Sequence, residues 1–419
     1  MTIQAVRGMK DVMAPEVGKW QFIEATARRI FGAFGFHEIK TPILEKTELF
    51  QRSLGETTDI VEKEMYTFAD RGGENLTMRP EATAGVLRAF IENKLYGQPG
   101  PHKLFTIGPM FRRERPQKGR FRQFHQLNAE VLGDGGPLMD AELLVMLTQL
   151  LSELGLAEVS LVLNSLGCPN PDCRPAFRQA LLDYFLPQKD RLCEDCRRRL
   201  TANPLRVLDC KVEGCREAAQ GAPQISAHWC GECREHYDKV KDYLTLAGVV
   251  FREDPGLVRG LDYYRRTTFE AIAGGLGAQN AVAGGGRYDG LVEELGGPPT
   301  QAIGFAAGLE RLALLLPDDP AHNPGPALFL AALGEVARRW AFGLAQELRR
   351  AGRSVEMMSE DKSLKAQMRR ANKLAARRVL IVGEAEMASG RAVLKDMGEG
   401  GQEEIPLAEA ASRLAGLTA

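Results

Sequence analysis

The chain has 419 residues, is 44% hydrophobic and 26% charged, and carries a formal net charge of −1. This composition is ordinary for a soluble globular protein of two or three domains. The charge balance excludes a global basic field, so any contact with nucleic acid must come from local basic patches. Without an N-terminal apolar run or a stretch of about 18 apolar residues, the sequence predicts no signal peptide, no membrane span and a cytoplasmic location.

The first part of the chain has the signals of alternating helices and strands. Apolar residues at three- and four-residue steps predict a helix that opens at Pro15 and ends at Gly35. The further elements predicted here are an extended piece at 36–40, a helix at 82–92, a strand at 104–107 ending at Gly108-Pro109, a strand at 121–133, a helix at 138–154 and a strand at 159–163.

All eight cysteines lie in one segment, at 168–233. They form four pairs with two or four intervening residues: Cys168/Cys173, Cys193/Cys196, Cys210/Cys215 and Cys230/Cys233. In an intracellular chain of this size, clustered pairs favour metal over disulfides, and these spacings fall in the range of structural zinc sites. Four pairs supply two tetrahedral sites, with His228 and His236 as alternative ligands. The competing interpretation is a set of buried, reduced cysteines without metal.

After the cysteines the α/β pattern returns and continues into a separate C-terminal region. The predicted elements are strands at 249–251, 267–272 and 281–283, a tight turn at Gly284–Gly286, and a strand leading into a helix over 304–316. The Pro-rich stretch that follows predicts a linker. Beyond it, strands at 327–332 and 379–382 flank a helix at 362–378 with one basic face, which indicates a small α/β domain.

Residues 111–126 contain five arginines and a lysine within eleven positions, and a turn signal at Lys118-Gly119 divides two strand candidates. Alternate residues of a hairpin share a face, so Arg120 and Arg122 are expected to point the same way. Guanidinium groups suit phosphates and carboxylates, and an aromatic face such as that of Phe124 suits stacking on a base. A basic surface hairpin is the alternative.

In the segment 304–312, Arg311 lies among leucines on a predicted helix, where it needs an anionic partner or must extend to solvent. Together with 111–126, this segment resembles motifs 2 and 3 of the class II aminoacyl-tRNA synthetases. Two further segments, 257–264 and 284–291, resemble the two signature peptides of the histidyl-tRNA synthetases. The resemblance covers essentially the whole chain, and its signature matches are long and specific.

The resemblance implies a mixed α/β fold, in which a class II (α+β) catalytic domain is built on an antiparallel sheet. A helical Cys-rich insertion would interrupt this domain, and a C-terminal α/β anticodon-binding domain would follow it. The expected boundaries are 1–167 and 242–316 for the two parts of the catalytic domain, 168–241 for the insertion, 317–326 for the linker and 327–419 for the last domain.

The resemblance also implies the activity. Histidine and ATP would form histidyl-adenylate and pyrophosphate, and the histidine would pass to the 3′ end of tRNA(His). Mg²⁺ would accompany ATP, and a homodimer is implied by the class. The predicted catalytic residues are Arg112, Arg259 and Arg311. The predicted ATP-binding residues are these three with Glu114, Arg120 and Phe124.

The predicted histidine-binding residues supply carboxylates, hydroxyls and an amide to the ligand's ammonium group and ring nitrogens. They are Glu81, Thr83, Gln126, Glu130, Tyr263, Tyr264 and Tyr288. A site that hydrogen-bonds both ring nitrogens rejects apolar isosteres without editing. For Glu81 the alternative is a helix N-terminal carboxylate, and for Tyr263 and Tyr264 a core pair.

Two other protein classes compete with the synthetase. A regulatory subunit of a histidine-biosynthesis transferase would share the catalytic domain, but such paralogues lack the C-terminal domain and tend to have degraded signature peptides. A zinc-dependent nucleic-acid-binding protein without enzyme activity would explain the cysteines and the basic patches, but not Arg311 or residues 259–264.

Overall fold

The computed structural model describes residues 2–55, 58–201, 203–259, 261, 263–274 and 280–416. The predicted signature at 257–264 therefore includes two residues, Gly260 and Asp262, that lie outside the described part. The chain divides into two compact units, Met1–Pro317 and Asp318–Ala419. Every helix within the described ranges is too short or too polar to cross a membrane.

The first unit contains eleven strands in its described residues. They are β1 (His37–Glu38), β2 (Leu44–Lys46), β3 (Tyr66–Ala69), β4 (Asn75–Met78), β5 (His102–Phe111), β6 (Gln123–Leu132), β7 (Ser160–Ser165), β8 (Phe251–Glu253), β9 (Arg265–Ile272), β10 (Ala281–Arg287) and β11 (Ala302–Gly308). Eight of them form one sheet in the order β1-β5-β6-β11-β10-β9-β7-β8, which is antiparallel except for the parallel outer pairs β1/β5 and β7/β8. Strands β2, β4 and β3 form a small antiparallel sheet.

Helices cover this sheet and build the insertion. They are α1 (Glu16–Ala33), α2 (Thr47–Leu54), α3 (Thr83–Glu92), α4 (Pro137–Glu153), α5 (Arg174–Phe185), α6 (Glu194–Arg199), α7 (Leu205–Leu208), α8 (Glu213–Ala218), α9 (Gly231–Leu246), α10 (Leu291–Glu294) and α11 (Leu309–Leu315), with a short π-helical turn at Ile60–Glu64. The helices α5 to α9 follow β7 and make the Cys-rich segment helical, as the sequence indicates.

The central strands separate a core face from a polar face by simple alternation. On β6, Leu127, Ala129 and Val131 join the main hydrophobic core with residues of α1, α4 and α11. Asn128 and Glu130 point to the opposite face. The same alternation on β11 sends Ile303 and Phe305 into the core. The opposite face of the sheet is consequently free to carry polar groups.

One predicted element was wrong: Gly284–Gly286 is not a tight turn but the middle of β10. Gly285 is paired with Phe305 on β11, and a Cβ atom at Gly285 would lie 2.1 Å from the carbonyl oxygen of Gly304. Gly285 and Gly286, where a Cβ would lie 2.5 Å from the carbonyl oxygen of Thr267, therefore reflect close approach between strands rather than a reversal of the chain. Strand β5 likewise continues through Gly108-Pro109, where the sequence predicted its end.

The second unit has a five-stranded sheet in the order β13-β12-β14-β15-β16. Its strands are β12 (Leu328–Ala332), β13 (Val355–Met357), β14 (Arg378–Val382), β15 (Arg391–Asp396) and β16 (Gln402–Pro406). Its helices are α12 (Glu335–Arg350), α13 (Leu364–Lys373), α14 (Glu384–Ser389) and α15 (Ala410–Ala415). Helix α13 is shorter than predicted because the chain turns at Ala375, whose φ is 52°. Its basic residues Lys365, Arg369, Arg370 and Lys373 are exposed.

Candidate active site

The polar face of the eight-stranded sheet carries a cavity of about 630 Å³. All thirteen residues predicted to bind ATP or histidine line it: Glu81, Thr83, Arg112, Glu114, Arg120, Phe124, Gln126, Glu130, Arg259, Tyr263, Tyr264, Tyr288 and Arg311. They come from segments more than 200 residues apart in sequence, and the antiparallel pairing of β5, β6, β11, β10 and β9 brings these segments side by side.

The floor of the cavity is made by residues with little or no side chain. Across β10 and β11, Gly284 pairs with Ala306 and Gly286 with Gly304. A Cβ atom at Gly304 would lie 1.7 Å from Glu130 Oε2, and one at Gly284 would lie 2.6 Å from Arg259 Nη1. These two glycines therefore leave the space in which a carboxylate and a guanidinium group lie flat over the sheet.

Glu130 is the centre of the acidic half of the cavity. It is 1% exposed, Thr83 Oγ1 donates to its Oε1 at 2.6 Å, and the Tyr288 hydroxyl donates to its Oε2. Burial raises the pKa of Glu130 to about 8, although both hydrogen bonds act in the opposite direction. At neutral pH without a ligand the carboxyl group is therefore mainly protonated, and a cationic ligand beside it would favour its ionised form.

Glu81 is the second buried carboxylate. Its Oε1 accepts from the backbone N–H of Ala84 at 3.1 Å, so the helix N-terminal interpretation correctly describes one of its contacts. Its Oε2 accepts from the Tyr263 hydroxyl at 3.1 Å. Burial raises the pKa of Glu81 as well. A carboxylate held from both sides in this way is oriented toward the cavity, not only toward its helix.

Three tyrosines form the aromatic wall of this half. The ring centroids of Tyr263 and Tyr264 are 4.7 Å apart, and those of Tyr263 and Tyr288 are 5.8 Å apart. All three side chains are less than 10% exposed, and burial raises the pKa of each hydroxyl, so they remain neutral. The tyrosines pack together as a core pair would, yet the hydroxyl groups of Tyr263 and Tyr288 also hold Glu81 and Glu130.

The other half of the cavity is cationic. The Arg112 Nε donates to Pro80 O at 2.9 Å, and its guanidinium carbon lies 5.2 Å from the centroid of the Phe124 ring. Arg120 pairs with Glu114, whose Oε1 is also 3.9 Å from Arg112 Nη1. Burial lowers the pKa of Arg112 and Arg120, which favours an anionic ligand beside them.

Arg311 and Arg259 complete the cationic half. Arg311 Nη1 donates to Ala281 O at 2.6 Å, and its Nε lies 3.4 Å from Gly119 O, so the helix α11 arginine reaches back over the sheet instead of extending to solvent. Arg259 pairs with Glu270 on β9 and lies 5.8 Å from the ring centroid of Tyr264. Arg259 therefore stands at the junction of the cationic and acidic halves.

Three buried polar atoms of residues that line the cavity lack a hydrogen-bond or ion-pair partner among the described residues. They are Gln126 Oε1, Asn128 Oδ1 and Arg259 Nε. Buried polar atoms without a partner are unfavourable, so unpartnered groups in a cavity indicate where a ligand supplies the missing bond. The arrangement can thus bind a polyanion at one end and a small cationic molecule with ring nitrogens at the other.

Some features of the site were not predicted. Arg122, expected beside Arg120, instead donates to Glu114 O at 3.2 Å and to Arg7 O at 3.3 Å, because the turn before β6 does not follow strand alternation. Glu270 and Arg206 line the cavity without having been singled out. Alternate residues of a strand face the same side of the sheet, and this alternation within the predicted strand is the one sequence signal that could have identified Glu270.

The cysteines form two separate groups of four. The proximal cysteine centre is Cys168, Cys173, Cys230 and Cys233, and the distal cysteine centre is Cys193, Cys196, Cys210 and Cys215. Within each centre all sulfur atoms lie within 4.8 Å of one another. Tetrahedral zinc with bonds of about 2.3 Å requires sulfur atoms roughly 3.8 Å apart. The pairs Cys168/Cys230, Cys173/Cys233 and Cys193/Cys210 lie 3.6, 3.9 and 3.9 Å apart, so the donor sets fit this ion.

Comparison with known families gives two matches that divide the chain. Residues 8–312 match the model of the histidyl-tRNA synthetase family, and residues 328–417 match that of an anticodon-binding domain. The first match contains the whole cavity and both cysteine centres.

Individual relatives resemble the chain over its full length. A histidine–tRNA ligase of Trichlorobacter lovleyi is 56% identical over 418 residues, 100% of this chain and 99% of the relative. One of Geobacter sulfurreducens is 55% identical, covering 98% of this chain and 100% of the relative. The crystal structure of the apo histidyl-tRNA synthetase of S. aureus superimposes with a TM-score of 0.83 at 34% identity, over 99% of this chain and 100% of that one.

Proposed function

The chain belongs to the histidyl-tRNA synthetase family, and we propose that its cavity activates histidine with ATP and passes the histidine to tRNA(His). The observation that carries this proposal is the division of one cavity into a half with four arginines and a half with two buried carboxylates. The arginines match the anionic phosphates of ATP, and the carboxylates match the ammonium group of histidine. The two halves meet at Arg259. The predicted class, a ligase of the aminoacyl-tRNA synthetase type, is confirmed by the family and its relatives.

We assign the cationic half to ATP. Arg112 and Arg259 bind the α-phosphate, and Arg311 binds the far end of the triphosphate. Arg120 and Glu114, which lie between β5 and β6, hold the triphosphate and adenine, and Phe124 stacks on the adenine ring. Arginine suits these roles because its planar donors match phosphate oxygens in pairs. The lowered pKa of Arg112 supports the assignment, since an anion would offset the cost of burying this guanidinium group.

We assign the acidic half to histidine. Glu81 and Glu130 face the ammonium group and the ring of histidine. Tyr264 and Glu130 form hydrogen bonds with the ring nitrogens. Thr83, Gln126, Tyr263 and Tyr288 orient these groups. A protonated Glu130 can donate a hydrogen bond and an ionised one can only accept, so its state must adapt to the tautomer and charge of the ligand.

In the first step a carboxylate oxygen of histidine attacks the α-phosphorus of ATP, the bond from that phosphorus to the bridging oxygen breaks, and pyrophosphate leaves. The arginines screen two anionic reactants and hold them in line, which supplies the orientation and charge stabilisation that this step needs. In the second step the oxygen of a ribose hydroxyl at the 3′ end of the tRNA attacks the carbonyl carbon of the histidyl-adenylate and the hydroxyl releases its proton. The bond from that carbon to the phosphate oxygen breaks, and AMP leaves.

Mg²⁺ accompanies the ATP phosphates in this proposal. Two carboxylates on the cationic side, Glu114 and Glu270, are already paired with arginines. The ion would therefore arrive on the phosphates, whose charge it helps to neutralise, with few protein ligands.

The C-terminal unit is proposed to bind tRNA(His), with the exposed basic face of α13 as the contact surface. We also propose that the chain acts as a cytoplasmic homodimer, on the basis of its family. The domain boundaries predicted from the sequence are retained as part of the proposal, with the insertion at 168–241 and the linker at 317–326.

Both cysteine centres are proposed to bind structural Zn²⁺. The sulfur spacing supports two tetrahedral sites, and all eight cysteines are free thiols. Metal analysis of the purified protein in chelator-free buffer should give about two zinc ions per chain. Less than one per chain, or iron in place of zinc, would refute the assignment.

Histidine-dependent exchange of pyrophosphate into ATP tests the central proposal. We expect exchange with histidine and none with other amino acids, and a large loss of exchange in Arg112→Ala. The matched control is Arg113→Ala, because Arg113 is the exposed neighbour on the same segment and should be dispensable. Equal exchange with another amino acid, or none with histidine, would contradict the proposal.

A further inference from the structure

The distal cysteine centre lies beside the cationic half of the active site, not at a remote end of the insertion. Arg206, Leu208, Asp209 and Lys211 line the cavity immediately before and after Cys210. The insertion therefore contributes part of the cavity wall, and that part is bounded by a cysteine of the distal centre.

Helix α6 makes the first link from this centre to the active site. It follows Cys193, and it carries Arg198 and Arg199. Arg198 binds both carboxylate oxygens of Glu62, at 2.6 and 3.0 Å, and Arg199 binds Asp59 at 2.5 Å. The segment they hold also contains Glu64, which lines the cavity and whose carbonyl accepts from Arg113 N at 2.6 Å. Through this contact α6 is connected to the segment that carries Arg112 and Arg120. That segment belongs to the cationic half of the cavity, which we assigned to ATP and call the ATP half.

Arg206 makes the second link. Its Nη1 donates to the carbonyl oxygen of Arg259 at 3.2 Å. Arg259 is the arginine at the junction of the two halves, and the glycine floor at Gly284 leaves little freedom for its guanidinium group. A shift of its backbone would therefore move the guanidinium group away from the position of the α-phosphate.

Both links depend on very short elements. Helices α6, α7 and α8 have six, four and six residues, and helices of this length are not stable by themselves. The distal sulfur atoms join α6 to α8: Cys193 Sγ accepts from Cys196 N at 3.5 Å, and Cys193 N donates to Cys215 Sγ at 3.1 Å. A tetrahedral ion bound by all four cysteines would also hold Cys210, which lies two residues after α7, and would thus cross-link α6, α8 and the segment between α7 and α8.

We propose that a Zn²⁺ ion in the distal cysteine centre positions the ATP half of the active site, by holding Arg206 against Arg259 and α6 against the segment 58–64. The inference rests on the proposed function of the cavity as an ATP site. Arg206, which also lines the cavity, acts in this scheme as a positioning residue through its bond to the carbonyl oxygen of Arg259. The alternative is that the buried leucines around the short helices, Leu192, Leu200 and Leu205, hold the segment without help from a metal.

The test compares three variants of the full-length chain. Cys215→Ser removes a distal ligand that lies outside the cavity lining, and Arg206→Ala removes the link while keeping the ligands. Arg197→Ala is the matched control, since Arg197 is an exposed arginine of the same helix α6. For each, zinc content is measured, the dissociation constant of ATP is determined by calorimetry, and pyrophosphate exchange is followed without tRNA.

We expect Arg206→Ala to keep two zinc ions and to weaken ATP binding at least about tenfold, the effect of losing one charge-assisted hydrogen bond. Its KM for histidine should stay within about threefold of the wild type, and Arg206→Lys should recover part of the ATP affinity. Cys215→Ser should hold one zinc ion and show the same selective loss.

Normal ATP affinity in Arg206→Ala, or in a Cys215→Ser protein that has lost a zinc ion, would overturn the inference. An equal loss of histidine and ATP binding in both variants would also overturn it, because that pattern indicates general unfolding. Absence of exchange in the wild type would instead refute the proposed function, and the ATP dissociation constants would still decide whether the distal centre shapes this half of the cavity.

Discussion

Replacing Gly304 by alanine tests whether the glycine floor determines histidine binding. The added Cβ would lie 1.7 Å from Glu130 Oε2, where ordinary contact begins at 3.4 Å. The carboxylate must therefore move by about 1.7 Å, the difference between these distances. The same Cβ atom would also lie 2.7 Å from the carbonyl oxygen of Ala129, so the effect of the displaced side chain must be separated from that of a backbone shift.

The size of the effect follows from the bonds that Glu130 loses. Such a displacement breaks the 2.6 Å bond from Thr83 and the bond from Tyr288. The displaced carboxylate also loses the bond that it is proposed to make to histidine, and a hydrogen bond to a charged group contributes about 1.5–3 kcal/mol, so we expect the free energy of histidine binding to fall by up to about 3 kcal/mol. That free energy corresponds to a roughly 100-fold weaker binding of histidine. The KM for ATP should change by less than about threefold.

Pyrophosphate exchange at varied histidine and ATP concentrations measures this difference. Gly308→Ala is the matched control, because a Cβ there meets its nearest atom, in the Arg311 side chain, at 3.6 Å. A double-mutant cycle supplies the decisive comparison: in a Glu130→Ala background, Gly304→Ala should cost almost nothing further. An equal cost in both backgrounds would show that the clash is with the carbonyl of Ala129, 2.7 Å away, and would refute the reasoning.

Three further predictions concern the same framework. The pKa of Glu130 is about 8 in the folded state and its ordinary value is 4.5, so between these pH values the folded state retains a proton that the unfolded state releases. The contribution of Glu130 to the free energy of unfolding therefore falls as the pH rises from 4.5 to 8. Urea unfolding of the ligand-free Glu130→Gln variant should show a shallower fall than the wild type, by up to about 1.4 kcal/mol per pH unit. Gly284→Ala should displace Arg259 and raise the KM for ATP at least about tenfold, while the KM for histidine stays nearly unchanged; exchange kinetics measure both. A selective loss of histidine binding would contradict the claim that Gly284 makes room for Arg259. Asp140→Asn should lower the free energy of unfolding by about 1.5–3 kcal/mol, because it removes one of the two carboxylates that pair with the fully buried Arg287 and leaves Asp289 in place; an unchanged urea midpoint would contradict this.

The sequence predicted the fold class and the family correctly because both depend on local signals. Hydrophobic periodicity identified α1 and α4, and the long signature matches identified the family without knowledge of which strands are neighbours. The predicted mixed α/β fold with an antiparallel catalytic sheet and an anticodon-binding domain is confirmed. The residues predicted for ATP and histidine also line one cavity, although the role of each remains a prediction.

What the sequence could not supply is the register between distant strands. Gly284 to Gly286 read as a turn because glycine permits turns, and only the pairing of β10 with β11 reveals that they accommodate close approach. Arg206 was missed for a similar reason. Nothing in its neighbourhood marks it, and its contact with Arg259 joins residues 53 positions apart in different structural elements.

The register also explains how one sheet can separate two specificities. Gly284 faces Arg259 on the side of the triphosphate, whereas Gly304 faces Glu130 on the side of the amino acid, and the two glycines lie on adjacent strands. A substitution at either one should impair its own ligand first, because each glycine makes room for a different charged group. If the two variants instead lose both ligands together, the two halves are coupled, and the assignment of ATP and histidine to separate halves of the cavity would have to be abandoned.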